Sequence, residues 1–212
     1  RNVKGANVTD KPVVDHVKIL DENIALDFYI GGREFIDGIG DPAKQRIKSF
    51  SEELSSKLKD ISIPHPESYR FQEKNYGYGA DWVVAFIEFV ANNDWISAVA
   101  KIGGLITLGK HIRDFVTKKR DQNVFLGIRA GRLVAINAVS EVVEVHDVEL
   151  LTEYELDRGE AGFTDKEYLF VLDINKQELT PQDVYNQENI HRGTIFVVQI
   201  GWRGEIKSVN KF

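Results

Sequence analysis

The chain has 212 residues, 42% of them hydrophobic and 28% charged, and a formal net charge of -6 at pH 7. This composition is ordinary for a globular protein, and the length predicts one or two domains with a sizeable core. The acidic balance argues against general nucleic-acid binding, because a phosphate-binding surface needs excess lysine and arginine. With no cysteine in the chain, disulfides, thiolate catalysis and cysteine metal sites are excluded.

The start of the chain carries no signal peptide, and we expect a cytoplasmic protein. The chain also lacks methionine, including an initiator. This indicates a processed or trimmed N-terminus, from which a targeting segment could have been lost. An extracytoplasmic location is therefore not excluded.

In chain order, the first predicted element is a β-hairpin formed by residues 13–20 and 24–30. Asp41 and Pro42 then open an amphipathic helix, because aspartate suits the N-cap and proline suits the first helical position. The apolar face of this helix comprises Ala43, Ile47, Phe50, Leu54, Leu58 and Ile61. Prolines at 64 and 66 end the helix.

Residues 79–119 contain two of the three tryptophans and the longest apolar runs, and they predict a central helical hairpin. Its first helix runs from Trp82, the chain reverses at residues 92–94, and Asp94 caps a second helix from Trp95. Glycine in a helix costs about 1 kcal/mol relative to alanine, so Gly103, Gly104 and Gly109 require compensation. We expect close helix packing there, within the chain or between subunits.

Beyond residue 120 the pattern becomes β-rich. Residues 124–128 and 133–139 predict a hairpin around residues 129–132. Residues 142–156 predict a strand with a charged outer face, with a helix as the alternative. A strand over 167–174, a short helix from Thr180 and Pro181, and two strands over 194–201 and 205–209 follow. Gly204 permits the reversal between the last two strands.

These elements predict an α+β fold, with a mostly antiparallel sheet packed with one amphipathic helix and the central apolar helical hairpin. Three segments are expected: residues 1–75 with the hairpin and amphipathic helix, residues 76–120 with the helical hairpin, and a β-rich part over 121–212. The alternative is one continuous domain in which all strands form one sheet.

No highly specific catalytic or ligand motif is present, and we expect no cofactor. His146, Asp147 and Glu149 have metal-binding chemistry, but strand alternation places His146 on the face opposite the two carboxylates. The acidic stretch 141–160 is either solvated or docks a basic partner surface.

Asp173, Glu205 and Lys207 form the weak catalytic candidate. Glu205 and Lys207 share a strand face, and the arrangement resembles the carboxylate-x-lysine pattern of metal-dependent nucleases. In that pattern the acid binds the metal and the lysine stabilises or activates the attacking water. The resemblance covers only these three residues and implies a metal-dependent hydrolase as one hypothesis.

The leading hypothesis is a non-enzymatic interaction protein that self-associates or binds a protein partner through the helical hairpin. A membrane-acting effector that inserts the hairpin into lipid is the alternative. The uncharged run over residues 102–109 is nevertheless too short to span a bilayer. The partner-binding residues predicted for the hairpin are Trp82, Phe86, Phe89, Trp95, Ile96, Gly103, Gly104 and Ile106.

Overall fold

The computed structural model describes residue 19 and residues 26–35, 40–61, 68–74, 83–90, 101–157, 166–176 and 193–212. These residues form three α-helices and eight β-strands. The helices are α1 (Asp41–Asp60), α2 (Ile102–Lys118) and α3 (Ile128–Ser140). The strands are β1 (Leu26–Gly32), β2 (Ser68–Lys74), β3 (Val83–Val90), β4 (Val124–Leu126), β5 (Val148–Asp157), β6 (Lys166–Ile174), β7 (Thr194–Gly201) and β8 (Ile206–Lys211).

The strands form two separate four-stranded sheets, which we call the first and second sheets. The first has the order β2-β3-β1-β4 and the second the order β5-β6-β7-β8. All of the strand pairs are antiparallel. The predicted α+β class with antiparallel strands is therefore confirmed, whereas the described strands do not form the single sheet of the alternative.

Strand β1 is buried on both faces because helices cover one side of the first sheet and the second sheet approaches the other. On one face, the Phe28 ring lies 5.3 Å from that of Phe50 in α1. On the other face, Tyr29 lies 6.1 Å from Trp202, which follows β7. The sequence predicted that only one face of this strand is apolar, but both faces are buried.

The predicted partner of β1, residues 13–20, lies outside the described residues except for Ile19. At Phe28, Tyr29 and Ile30 the two edges of β1 are already occupied by β3 and β4. The second arm of the predicted hairpin is confirmed as a strand, but its neighbours come from distant parts of the sequence.

Helix α1 is the amphipathic helix expected from the sequence. Gly40 is its N-cap, and Asp41 and Pro42 are its first two residues, so the helix begins one residue earlier than predicted. Asp41 still stabilises the helix, because a carboxylate in the first turn interacts favourably with the helix dipole. The predicted apolar face is buried at Ala43, Ile47, Phe50, Leu54 and Leu58.

The first helix of the predicted hairpin is wrong, because Val83–Val90 is strand β3, at the centre of the first sheet between β1 and β2. Eight consecutive residues rich in valine, isoleucine and phenylalanine suit a buried strand as well as a buried helix, and periodicity alone does not separate the two. The predicted reversal at residues 92–94 lies outside the described residues. The membrane hypothesis required two apolar helices, and strand β3 stands in place of the first one.

The second predicted helix is confirmed over α2, but it begins at Ile102, after an extended Lys101, and not at Trp95. The close packing expected at its glycines occurs at Gly109, where a Cβ atom would overlap the backbone carbonyl of Leu133 in α3. At Gly103 a Cβ atom would meet nothing within 4 Å. None of the described helices is long and apolar enough to cross a membrane.

The predicted hairpin over residues 124–139 is half wrong. Val124–Leu126 forms β4 as expected, but residues 133–139 belong to helix α3. This helix packs against α2 and against strands of both sheets, so tertiary contacts outweigh the strand propensity of its valines and isoleucine.

The remaining C-terminal predictions are confirmed in part where the structure describes them. The predicted strand is correct for the acidic segment, although β5 begins only at Val148. The prediction of a charged outer face is wrong for Glu153 and Glu155, which lie opposite the core-facing Phe170 and Tyr168. Strands β6, β7 and β8 match their predicted positions within a few residues. Gly204, with φ +87°, forms the turn between β7 and β8. The short helix predicted at Thr180 and Pro181 lies outside the described residues.

The two sheets are joined by contacts around Trp202. Its ring stacks on that of Phe125 in β4, with centroids 4.1 Å apart. The Leu126 amide donates to the Trp202 carbonyl at 2.6 Å, and the Tyr168 hydroxyl donates to the Leu126 carbonyl at 2.8 Å. The buried hydrophobic residues accordingly form one core, to which all three predicted segments contribute.

Candidate functional site

The predicted partner-binding residues of the hairpin do not form a surface in the described part of the chain. Phe86 and Phe89 are buried in β3, and their rings contact Tyr29 and Phe28. Gly103 is exposed on α2, while Gly104 and Ile106 are half-buried there. Trp82, Trp95 and Ile96 lie outside the described residues. The two phenylalanines therefore serve the protein's own core, whereas Gly103, Gly104 and Ile106 are at least partly accessible on α2.

The proposed nuclease residues are not brought together. Asp173 pairs with Ile195 at one end of the second sheet, whereas the Glu205 carbonyl accepts from the Gly201 amide at the other end. Gly201 lies opposite Glu167, six residues before Asp173 on β6, which corresponds to roughly 20 Å along the strand. Glu205 and Lys207 pair with each other at 3.2 Å, far from Asp173.

The structure instead places Asp173 beside the other predicted acidic pair. Asp173 lies directly opposite Glu149, and the Asp147 and Glu149 carboxylates both influence its charge. Burial raises the pKa of Asp173, and these two neighbours raise it further against the lowering effect of Lys176. His146 is exposed, 3.6 Å from Glu144. No three described histidine or acidic side chains form a ready-made metal site.

The acidic strand β5 is largely neutralised by cations of the same chain. Glu149 accepts from Lys176 Nζ at 2.9 Å, Glu153 pairs with Arg132 of α3, and Glu155 pairs with Lys166 of β6. These ion pairs engage three of the four carboxylates of β5 within the chain.

Two of those cations are buried and connect the second sheet to the rest of the molecule. Arg132 is 8% exposed and also donates to the Ile19 carbonyl at 2.9 Å. Lys166 is 1% exposed, and its Nζ lies 5.7 Å from the centroid of the Tyr29 ring in the first sheet. A buried charge is tolerated only when it is paired, so these contacts position the second sheet.

A further buried acidic site lies at the N-terminus of α3, and sequence analysis missed it. Asp27 of β1 lies opposite Glu88 of β3, and Arg129 Nη1 lies 3.3 Å from Asp27 Oδ2 and 3.9 Å from Glu88 Oε1. The Ala130 amide donates to Asp27 Oδ1 at 3.0 Å. Asp27 thus satisfies an otherwise free amide at the start of α3, in the role of a helix cap.

Burial raises the pKa of Asp27 to about 6 from its ordinary value of 3.8. The Ala130 amide and the Arg129 guanidinium oppose this effect, because both favour the ionised carboxylate. Only the positions of Asp27 and Arg129 in the folded chain reveal the site, since they are 102 residues apart.

The outer face of the second sheet, which points away from the core, carries an apolar surface that the core does not use. On β6, Tyr168 and Phe170 face the core, whereas Leu169 and Val171 alternate with them on the outer face and are partly exposed. Cross-strand neighbours share a face, so Tyr154 opposite Leu169 and Val197 opposite Val171 lie on it too. We call the following set the outer stripe: Tyr154, Leu169, Val171, Ile195, Val197 and Phe212.

The outer stripe runs diagonally across the sheet. Phe212 reaches it at the far edge, where its amide donates to the Ile195 carbonyl at 2.9 Å. Tyr154 is 53% exposed and Phe212 78% exposed, so both ends of the stripe are open. None of its six members belongs to the buried core or to the side chains packed against it.

Polar groups surround the outer stripe. Gln199 donates to Glu167 at 2.6 Å on one side of it, and Ser208 and Asn210 lie on the same face of β8. Glu149 and Asp173 lie at the opposite end. An apolar centre with a polar rim is the usual anatomy of a protein–protein interface.

Comparison of the chain with known protein families, with curated proteins and with solved structures found no match.

Proposed function

We propose that this chain is a non-enzymatic interaction protein that self-associates, with the outer stripe of one copy packing on that of a second copy. The observation that carries the proposal is the set of partly exposed aliphatic and aromatic side chains on a sheet face that the protein's own core does not use. Contiguous exposed apolar patches on soluble proteins commonly mark interaction sites.

The size of the face is suited to a second copy. Four strands about 4.8 Å apart and about eight residues long present roughly 500 Å² of sheet in projection. Two such faces would bury about 1,000 Å², which is the lower range for a specific interface. Two sheets packed face to face in this way form a sandwich with their strands roughly aligned.

The charges near the face also permit self-association. Two copies related by a twofold axis present the same surface to each other, so an unpaired acidic strand would repel its counterpart. Glu153 and Glu155 lie opposite Phe170 and Tyr168, on the face of β5 turned away from the outer stripe, and Glu149 on the outer face is paired with Lys176. Repulsion from the carboxylates of β5 is therefore small at the proposed interface.

The test is the solution mass of Val171→Lys, measured by light scattering behind size exclusion over a range of concentrations. We expect the parent chain to have twice the 24.1 kDa monomer mass and Val171→Lys to be monomeric, because the lysine places an unpaired charge in the centre of the interface. Val142→Lys is the matched control, because Val142 is 60% exposed and lies in the turn after α3, outside the outer stripe. A monomeric parent chain, or equal effects of the two lysines, would contradict the proposal.

A further inference from the structure

An open depression lies beside α1, where the short helical turn Arg33–Phe35 that follows β1 meets the helix. Its described lining consists of Glu34 from that turn and Pro42, Gln45, Arg46 and Ser49 from α1, and its volume is about 410 Å³. The four helix residues recur at the spacing of a single helix face. Sites for small molecules commonly have volumes of about 300 to 1,000 Å³, so the depression has room for one.

The guanidinium of Arg46 is held in place, yet one of its donors is unsatisfied. Its Nη2 donates to the Gln122 carbonyl at 2.6 Å. Its Nε lies 3.6 Å from Glu34 Oε1, which is too long for a hydrogen bond, and is buried without a hydrogen-bond partner. A buried donor without an acceptor is costly, so this side of the guanidinium lacks an acceptor.

The Glu34 carboxylate is held next to Arg46 by the end of β1. A Cβ atom at Gly32 would overlap this carboxylate, so Glu34 packs against a backbone position that has no side chain. The side chains of Arg46 and Glu34 are 32% and 30% exposed, and solvent reaches both. The depression therefore presents one cation and one anion side by side, without a hydrogen bond between Nε and the carboxylate.

We propose that this depression binds a free α-amino acid in its zwitterionic form. The ligand carboxylate accepts from Arg46, and the ligand ammonium donates to Glu34, which moves away from the guanidinium to admit the ligand. Glu34 would repel a simple anion and Arg46 a simple cation, whereas a zwitterion pairs with both. Gln45 and Ser49 supply further hydrogen bonds, and the Pro42 ring supplies an apolar contact for the ligand side chain.

The proposal is tested on the full chain by NMR chemical-shift titration with leucine, phenylalanine, glutamine, glutamate and lysine, each added separately. We expect at least one of them to bind with a dissociation constant of about 1 mM or lower. The N-acetyl and amide derivatives of the amino acid that binds each lack one of its two charges. Each derivative should bind at least about tenfold more weakly than the free amino acid.

Two variants and a control connect the binding to the two charges. Arg46→Gln should weaken binding of the free amino acid at least about tenfold, because it removes the partner of the ligand carboxylate. Glu34→Gln should weaken binding of the free amino acid but strengthen that of its N-acetyl derivative, because it removes a carboxylate that repels the second carboxylate. Lys48→Gln is the matched control, because it removes a cation from the same helix at a side chain 70% exposed and outside the depression. It should leave the affinities unchanged.

The proposal is overturned if none of the five amino acids binds the parent chain, or if removing either ligand charge leaves the affinity unchanged. Equal effects of Lys48→Gln and Arg46→Gln would overturn it too. Should Arg46→Gln fail to fold, Glu34→Gln decides the matter, because a purely structural role for Glu34 would not change the two affinities in opposite directions.

Discussion

At the scale of single residues, the molecule places several charges where apolar side chains would be expected. Asp27, Glu88, Arg132 and Lys166 are all buried, and each contacts a group contributed by a different element. In the sequence, Asp27 merely alternates with apolar residues, which predicts a solvated strand face. Its actual role as the cap of α3 depends on Ala130, which is 103 residues away, so sequence reasoning had no local signal for it.

The raised pKa of Asp27 leads to a prediction about pH. Its folded-state pKa of about 6 lies above the ordinary 3.8, so the folded protein holds this proton more tightly than the unfolded chain. The resulting stabilisation is complete below the unfolded-state pKa and is lost as the pH rises through 6. At roughly 1.4 kcal/mol per pKa unit, the full loss is about 3 kcal/mol.

We therefore expect the free energy of unfolding of the parent chain, minus that of Asp27→Asn, to fall by about 2 to 3 kcal/mol between pH 4 and 7. Asparagine retains the shape and the acceptor for the Ala130 amide but cannot ionise. Urea unfolding of both proteins at several pH values measures this difference. Asp60→Asn, made on an exposed carboxylate, provides the baseline. If the difference in unfolding free energy between the parent chain and Asp27→Asn does not vary with pH, the raised pKa of Asp27 is refuted.

At the scale of elements, sequence patterns succeeded where the amphipathic or alternating signal was strong. The apolar face of α1 and the alternation along β6 are both reproduced in the structure. The failures are the continuous apolar runs, VVAFIEFV in β3 and LVAINAV in α3. Residues 86–89 of the first run and all of the second run are buried, so these stretches lack the polar face whose spacing distinguishes a helix from a strand.

Gly109 and Gly103 allow the packing between α2 and α3 to be tested. A Cβ atom at Gly109 would overlap the Leu133 carbonyl, whereas one at Gly103 meets nothing within 4 Å. We expect Gly109→Ala to destabilise the protein by about 1 to 3 kcal/mol through overpacking. Gly103→Ala should be neutral or stabilise by up to about 1 kcal/mol, because alanine is the better helix former.

The measurement is denaturant unfolding of the two alanine variants beside the parent chain. Both changes add the same methyl group to the same helix, so their difference isolates the contact with α3. Equal stabilities for the two variants would show that α2 and α3 do not approach closely at Gly109.

At the scale of the whole molecule, the two sheets share one core through α3, Trp202 and the buried ion pairs. Phe50 of α1 packs on Phe115 of α2 with ring centroids 5.7 Å apart, and the outer stripe lies outside the shared core. Sequence analysis assigned the interaction surface to a helical hairpin, but the first half of that hairpin is strand β3. Sequence analysis missed the outer stripe because its members are spread over three strands and Phe212, the residue after β8. The register of these strands is set only by folding.

The most direct test of the proposed assembly is cross-linking through a single introduced cysteine, since the chain contains none of its own. Val171→Cys places a thiol at the centre of the outer stripe, and Val142→Cys places one in the turn after α3. With a short bis-maleimide linker, sheet-to-sheet packing at about 10 Å predicts a covalent dimer of twice 24.1 kDa for Val171→Cys alone. A Val171→Cys protein that remains monomeric after complete labelling, or equal dimer yields from both positions, would contradict the account.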